Sequence, residues 1–136
     1  MQRVPGDARW LFDVAHNPAS AAALAAVLAE GASRPHTIAI LGLLEDKDIA
    51  GIAGSLAPHV DEWIAVRADS PRAIPAAELG RQVANLTNRG CLVAASIAEA
   101  VARAGELAGV ADRILVTGSF HVVGPALSEL YSRPTS

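Results

Sequence analysis

The chain has 136 residues, of which 51% are hydrophobic and only 4% aromatic, so it is long enough for one domain with a substantial apolar core. Its formal net charge is −3 and its basic residues are scattered, which gives no electrostatic reason to expect nucleic acid or an anionic membrane as a partner. We therefore predict a single domain over residues 1–136 that binds neither.

The compartment follows from cysteine use and from the N-terminus. The chain has one cysteine, Cys91, which cannot form an internal disulfide and is interpreted as a small buried residue at the start of a strand. No signal peptide is recognisable, and the Ala-rich segment 19–29 is too short and too weakly apolar to span a bilayer. We predict a cytoplasmic protein.

Apolar runs and helical stripes alternate along the chain. The runs predict five strands, at residues 10–14, 37–42, 62–66, 91–94 and 113–117. The first helix is predicted to begin after Asn17 as N-cap, with Pro18 at its first position, and to end near Gly31. The second is predicted to follow Asp48 as N-cap and to end at Pro58.

Three more helices are predicted near residues 75–88, 97–104 and 123–130, and Pro125 is expected to delay or kink the last of them. Segment 67–74 is expected to be a loop, His36 and His59 to be solvated, and the tail at 132–136 to fray. The repeating strand–helix order predicts an α/β, Rossmann-like, mostly parallel sheet with helices on both faces and right-handed crossovers.

Two polar segments follow predicted strands directly: DVAHNP at residues 13–18 and GSFH at 118–121. Ligands of open parallel sheets bind outside the carboxyl ends of the strands, so the two segments predict one composite site. Asp13 suits paired ribose hydroxyls, or it supports the turn. His16 is a structural hydrogen bonder or a ligand contact, and Asn17 is a helix cap that could also reach a ligand.

Ser119 is predicted to cap the last helix, whose N-terminal N–H groups suit a carboxylate or phosphate. It does not fit a nucleophile elbow, because Thr117 and His121 stand where that motif has glycines. Asp13, His16 and His121 lack tight ligand spacing, so no metal site is predicted. The chain has no Walker A or Gly-x-Gly-x-x-Gly motif with which to hold a triphosphate by itself.

Three blocks carry a family resemblance: FDVAHNP at residues 12–18, GLLEDKDI at 42–49 and VTGSFH at 116–121. In order and separation they resemble the C-terminal domain of bacterial folylpolyglutamate synthase/dihydrofolate synthase, a branch of the Mur ligase superfamily. The first block alone is shared loosely with Mur ligases and cyanophycin synthetase. The second and third together indicate the folate branch, and the likeness runs over nearly the whole chain.

The resemblance implies an ATP- and Mg²⁺-dependent ligase that phosphorylates a carboxylate of dihydropteroate or folate and joins it to L-glutamate. It implies that Asp13 binds the ATP ribose and that His16 and Ser119 hold glutamate, with His121 as a weaker candidate and Lys47 as a weaker one still. The phosphate loop, the Mg²⁺ ligands and most folate contacts would belong to an N-terminal ATPase domain of the same protein.

The chain departs from this family in lacking that ATPase domain. A Gly-Arg pair of the family, whose arginine reaches ATP, would fall just before Met1, so the chain is expected to be a fragment that is inactive alone. Two alternatives stay open: a non-catalytic module that binds a nucleotide or a partner chain, and the C-terminal domain of a Mur-type peptidoglycan ligase.

Overall fold

A computed structural model of the chain describes residues 2–4, 7–30 and 36–131. The helix end predicted near Gly31 and the tail at 132–136 lie outside these ranges. The strands are β1 Gln2–Val4, β2 Asp7–Asp13, β3 Thr37–Gly42, β4 Glu62–Ala65, β5 Cys91–Val93 and β6 Arg113–Gly118. The helices are α1 Pro18–Ala29, α2 Ile49–Leu56, α3 Ala76–Thr87, α4 Ile97–Leu107 and α5 Phe120–Tyr131, and a short 3-10 turn spans Ala57–His59.

The described strands form one sheet in the order β1-β2-β6-β3-β4-β5. The five strands from β2 through β6 all pair in parallel with their neighbours, which confirms the predicted α/β fold. Strand β1 pairs antiparallel with β2. The sequence analysis missed β1 and started β2 at residue 10 rather than at Asp7. The reason is that Gln2–Val4 carries no apolar run, so only its backbone pairing with the edge of β2 defines it as a strand.

The helices cover opposite faces of the sheet because the chain reverses direction once. From β2 it moves through β3 and β4 to β5, which places α1, α2 and α3 on one face, where they share one apolar cluster. It then returns to insert β6 between β2 and β3, and α4 and α5 pack on the other face around a second cluster. Right-handed crossovers in opposite directions produce this two-sided arrangement.

Alternation along the buried strands divides the core between these clusters. In β3, Ile38 and Ile40 face α4 and α5, while Ala39 and Leu41 face the other helices, and all six residues of the strand are buried. Burial on both faces explains why the strand reads as a continuous apolar run rather than as an alternating one. Among the described residues, no helix combines the length and the apolarity needed to cross a membrane.

The expectation that Pro125 delays the last helix was wrong. Helix α5 begins at Phe120 and continues through Pro125. Pro125 has no N–H to donate to the carbonyl of His121, which accepts a hydrogen bond from the Asp69 N–H instead. His36 is exposed, as expected, and its Nε2 also lies 2.7 Å from a carboxylate oxygen of Glu62. His59 is half-buried in the 3-10 turn.

Candidate functional site

The three polar blocks of the sequence meet at one edge of the sheet. They follow β2, β6 and β3, which are neighbours in that order, with β6 in the centre. Asp13 is in register with Thr117, and Gly42 is in register with Gly118, so the three strands end at the same level. After β6 the chain turns to one face of the sheet, and after β2 and β3 it turns to the other, which leaves a crevice between them.

The turn from β6 into α5 is built on two glycines that touch. Gly118 has φ +108°, and a Cβ there would collide with the carbonyl oxygen of Gly42. That same oxygen accepts a hydrogen bond from the Ser119 N–H at 2.9 Å. The close approach of the two backbones therefore fixes where Ser119 stands at the start of the helix.

Ser119 is 6% exposed and caps α5, as predicted. Its Oγ accepts a hydrogen bond from the His121 N–H at 3.0 Å, and its carbonyl accepts from the N–H groups of Val122 and Val123. The contact between Ser119 and His121 therefore involves the histidine backbone. This is the bonding of a helix N-cap rather than that of an activated nucleophile.

The start of α1 is held by a capping box. Asn17 Oδ1 accepts a hydrogen bond from the Ser20 N–H at 2.8 Å, and Ser20 Oγ accepts one from the Asn17 N–H at 3.3 Å. Pro18 occupies the first helical turn, as predicted. The amide oxygen of Asn17 is thus used in capping, while the neighbouring His16 is exposed at the mouth of the site.

The segment between β3 and α2 forms the third wall. Asp48 caps α2 through a 2.9 Å hydrogen bond from the Gly51 N–H to its Oδ1, as predicted. Loop 67–74 braces this wall, because the Glu45 N–H donates to the carbonyl of Arg72 at 2.8 Å and the Arg72 guanidinium lies 3.3 Å from Asp46. Lys47 is half-buried beside the brace.

Two open pockets lie beside the start of α5. The first, here called the serine pocket, measures about 330 Å³ and is lined by Val14, His16, Leu43, Leu44, Lys47, Ser119, Phe120 and His121. The second, the aspartate pocket, measures about 340 Å³ and is lined by Phe12, Asp13, Val14, Phe120, Val123, Gly124 and Leu127. Val14 and Phe120 belong to both pockets and therefore form the partition between them.

The structure thus sorts the predicted site residues into two groups. His16, Lys47, Ser119 and His121 share the serine pocket, whereas Asp13 lines the aspartate pocket on the other side of the partition. The serine pocket combines a lysine, two histidines and a helix N-terminus, so its chemistry suits a carboxylate. Both pockets are lined mainly by apolar surface, and the aspartate pocket adds one carboxylate, which suits a hydroxyl-bearing group attached to a ring.

Sequence reasoning missed several residues of this edge. The apolar residues Leu43 and Leu44 and the partition residue Phe120 all stand inside the quoted motifs, but only the polar members were singled out. Thr117 was also missed: it is fully buried next to Asp13 in the register, and its hydroxyl has no hydrogen-bond partner among the described residues. An apolar or buried residue carries no chemical signal in a sequence, so only packing reveals it.

A metal centre is not formed by the described part of the chain. Within residues 7–30 and 36–131, no three His, Cys, Asp or Glu side chains are grouped so that they could hold a metal ion. Asp13 and the two histidines of the motifs fall in different pockets.

Comparison with known proteins agrees with this arrangement. Residues 1–120 match the family described as Mur ligase, glutamate ligase domain. The chain belongs to this family. The resemblance inferred from the three sequence blocks is therefore confirmed. The match ends at Phe120, the first residue of α5.

Individual relatives of this Mur ligase domain lie in the folate branch. The chain is 33% identical over 132 residues to the dihydrofolate synthase/folylpolyglutamate synthase of Escherichia coli (strain K12). This match covers 97% of the chain and 30% of that protein. The chain superimposes on the structure of E. coli FolC in complex with DHPP and ADP with a TM-score of 0.86 and 32% identity, covering 98% of this chain and 31% of that one.

A further structure, of a bifunctional folylpolyglutamate synthase/dihydrofolate synthase with Mn, AMPPNP and L-glutamate bound, matches with a TM-score of 0.80 and 32% identity. That match covers 95% of this chain and 30% of the other. The Mur ligase domain described here thus spans about a third of the length of the relatives it matches.

Proposed function

We propose that the chain is the C-terminal domain of an ATP-dependent ligase that joins L-glutamate to dihydropteroate or folate through an acyl phosphate. Residues 1–136 form this one domain, and an N-terminal ATPase domain of the same protein completes the site. The observation that carries the proposal is the convergence of all three family blocks on adjacent strand ends, around a serine-capped helix N-terminus. Similarity to dihydrofolate synthase/folylpolyglutamate synthases over 97% of the chain supports the substrate class.

The two pockets divide the binding work. Asp13, in the aspartate pocket, accepts hydrogen bonds from the ATP ribose hydroxyls. Ser119, His16 and His121, in the serine pocket, hold the carboxylates of glutamate, and Lys47 adds positive charge. Asn17 contributes least, because it lines neither pocket.

In the reaction, a carboxylate oxygen of the acceptor attacks the γ-phosphorus of ATP, and ADP leaves. The neutral amine of glutamate then attacks the carbonyl carbon of the acyl phosphate; phosphate leaves, and the nitrogen loses a proton as the amide forms. An acyl phosphate is already activated, so the domain contributes position rather than a strong base. Closing this edge of the sheet over the reactants also keeps water from the acyl phosphate.

The divalent metal belongs to the rest of the protein in this proposal. The described residues do not fit a metal ion, and relatives have been solved with Mn and a nucleotide analogue bound. The triphosphate likewise needs a phosphate-binding loop, which this sequence lacks. We therefore expect the chain by itself to bind ATP and glutamate weakly and to form no ADP in response to glutamate.

The gene supplies the first test. The proposal expects an in-frame Gly-Lys-Ser/Thr loop encoded upstream of the Met1 codon; a stop codon directly upstream would instead favour a module that docks on a separate ATPase chain. The complete protein is then assayed for glutamate-dependent ADP release with dihydropteroate, with folate and with a muramyl peptide acceptor. Release with either folate-type acceptor supports the proposal, and release with the muramyl acceptor alone overturns it.

A further inference from the structure

Phe120 is an exposed aromatic residue in the centre of the site. Phe120 is 67% exposed, whereas the other phenylalanine and both tryptophans of the chain are at most 2% exposed. It is the first residue of α5, directly after the cap Ser119, and it lines both the serine pocket and the aspartate pocket. Because the exposed ring stands where the two pockets meet, it is available to contact a ligand in either of them.

The ring is held by its own helix. A Cβ at Gly124, one turn later, would stand 3.4 Å from Phe120 Cζ and 3.6 Å from Cε1, so the ring lies over the glycine backbone. The ring of His121 meets it edge to face, with centroids 6.2 Å apart and planes at 79°. A larger residue at position 124 would crowd the ring, which gives this glycine inside a helix a packing role.

The proposed acceptors differ in what lies next to the reacting carboxyl. In dihydropteroate that carboxyl is bonded directly to an aromatic ring, whereas in a folate it is the side-chain carboxyl of a glutamate, separated from the same ring by an aliphatic chain and an amide. For amide formation the carbonyl carbon must come to about 3–3.5 Å from the glutamate amine. The proposed function puts that glutamate at Ser119, so the aryl ring of dihydropteroate comes to the residue beside Ser119.

We propose that Phe120 is a specificity-determining residue that packs on the aromatic ring of an aryl carboxylate acceptor. This inference rests on the proposed function and deepens it. The ring of Phe120 favours the first glutamate addition, to dihydropteroate, and is indifferent to later additions, where an aliphatic chain passes the same position. Offset or edge-to-face ring pairs supply attraction beyond simple apolar burial, which an aliphatic side chain does not reproduce.

The test compares acceptors in the complete ligase that contains this domain. Phe120→Leu is expected to lower kcat/KM for dihydropteroate roughly three- to tenfold and to leave kcat/KM for a monoglutamyl folate within about twofold. Phe120→Tyr keeps the ring and is expected to restore the parental ratio. Tyr131→Leu is the matched control, since Tyr131 is a 57% exposed aromatic residue at the far end of α5, and it should change neither value.

The outcomes separate this inference from the proposed function. Three results for Phe120→Leu overturn the role of Phe120 while the ligase assignment stands. They are an equal fall in kcat/KM for both acceptors, no fall in kcat/KM for either, or a change confined to a raised KM for ATP. A parent protein that uses neither acceptor overturns the proposed function, and the inference with it. Equal thermal midpoints for the Phe120 variants and the parent show that the comparison reports recognition rather than folding.

Discussion

The backbone N–H of Asp69 donates a hydrogen bond to the carbonyl of His121 across 3.0 Å, between a loop and the first turn of α5. The carbonyl of His121 would ordinarily accept from the residue four positions later, which is Pro125 and has no N–H. Loop 67–74 thus satisfies an acceptor that the proline leaves open. The same loop braces the β3–α2 wall, so it ties two walls of the serine pocket together.

Removing this donor tests the brace. The Ser70 N–H bonds to the carbonyl of Ala68, so Asp69 is the central residue of a γ-turn, and its φ is not positive. An inverse γ-turn has φ close to that of proline, so Asp69→Pro fits the φ of the turn. It replaces the donor N–H and the carboxylate with a ring whose Cδ faces the carbonyl of His121. We expect a loss of about 1–3 kcal/mol in the free energy of unfolding, measured by urea denaturation of the chain.

Two companion variants make this prediction specific. Asp69→Ala keeps the N–H and should cost much less than Asp69→Pro. Adding Pro125→Ala to Asp69→Pro supplies a new donor within α5 and should recover most of the loss. If the double variant is no more stable than Asp69→Pro alone, the hydrogen bond to His121 is not the cause.

Gly118 is predicted to tolerate no side chain. Gly118→Ala adds a Cβ that meets the Gly42 carbonyl at a backbone φ of +108°, so strain and overlap combine. We expect a destabilisation of at least about 2 kcal/mol in urea unfolding. Gly54→Ala is the control: no atom lies within 4 Å of its added Cβ on α2, and it should stabilise by about 0.5–1 kcal/mol. Similar effects of the two changes would contradict the proposed contact.

His36 should make stability depend on pH. Its hydrogen bond to Glu62, helped by the charges of Asp61 and Asp112 and opposed by partial burial, raises the pKa of His36 above 6.5. Folding therefore favours the protonated ring, so this stabilisation is fully present below pH 6.5 and is lost as the pH rises through the raised value. The two side chains are 45% and 42% exposed, which limits the effect to less than about 1 kcal/mol.

The measurement is the difference in unfolding free energy between the parent chain and His36→Gln at pH 5.5 and at pH 8. The difference should be larger at pH 5.5. Glu62→Gln should remove most of this pH dependence while His36 remains. A difference that grows toward pH 8 would reverse the sign of the argument.

If the proposed function holds, substitutions of Ser119 and Asp13 should weaken the binding of different substrates of the complete protein. Ser119→Ala removes a hydroxyl proposed to bind the glutamate carboxylate and should raise the KM for glutamate about tenfold or more. Asp13→Asn should raise the KM for ATP by a similar factor while leaving that for glutamate unchanged. Steady-state kinetics with each substrate varied in turn separates the two roles.

Ser96→Ala provides the control for the serine. Ser96 caps α4 by accepting a 3.0 Å hydrogen bond from the Glu99 N–H. Loss of either serine cap should lower the free energy of unfolding by about 0.5–2 kcal/mol. Ser96 lies outside both pockets. If Ser96→Ala raises the KM for glutamate as much as Ser119→Ala does, the effect reports helix stability instead of binding.

The sequence by itself determined the elements that local chemistry encodes. The apolar run of β3, the Asn17 cap followed by Pro18, and the caps Asp48 and Ser119 were all readable, because burial on both sheet faces and helix capping require particular residue types at particular spacings. The three blocks also identified the family. What they left open was how the blocks meet.

Only the tertiary structure decided that arrangement. The insertion of β6 between β2 and β3 brings together strand ends that are about a hundred residues apart in the sequence, and it separates Asp13 from Ser119 by the ring of Phe120. The edge strand β1 and the bond from Asp69 to His121 were likewise invisible. Backbone pairing and long-range packing depend on which segments become neighbours, and no local pattern of residue types records that choice.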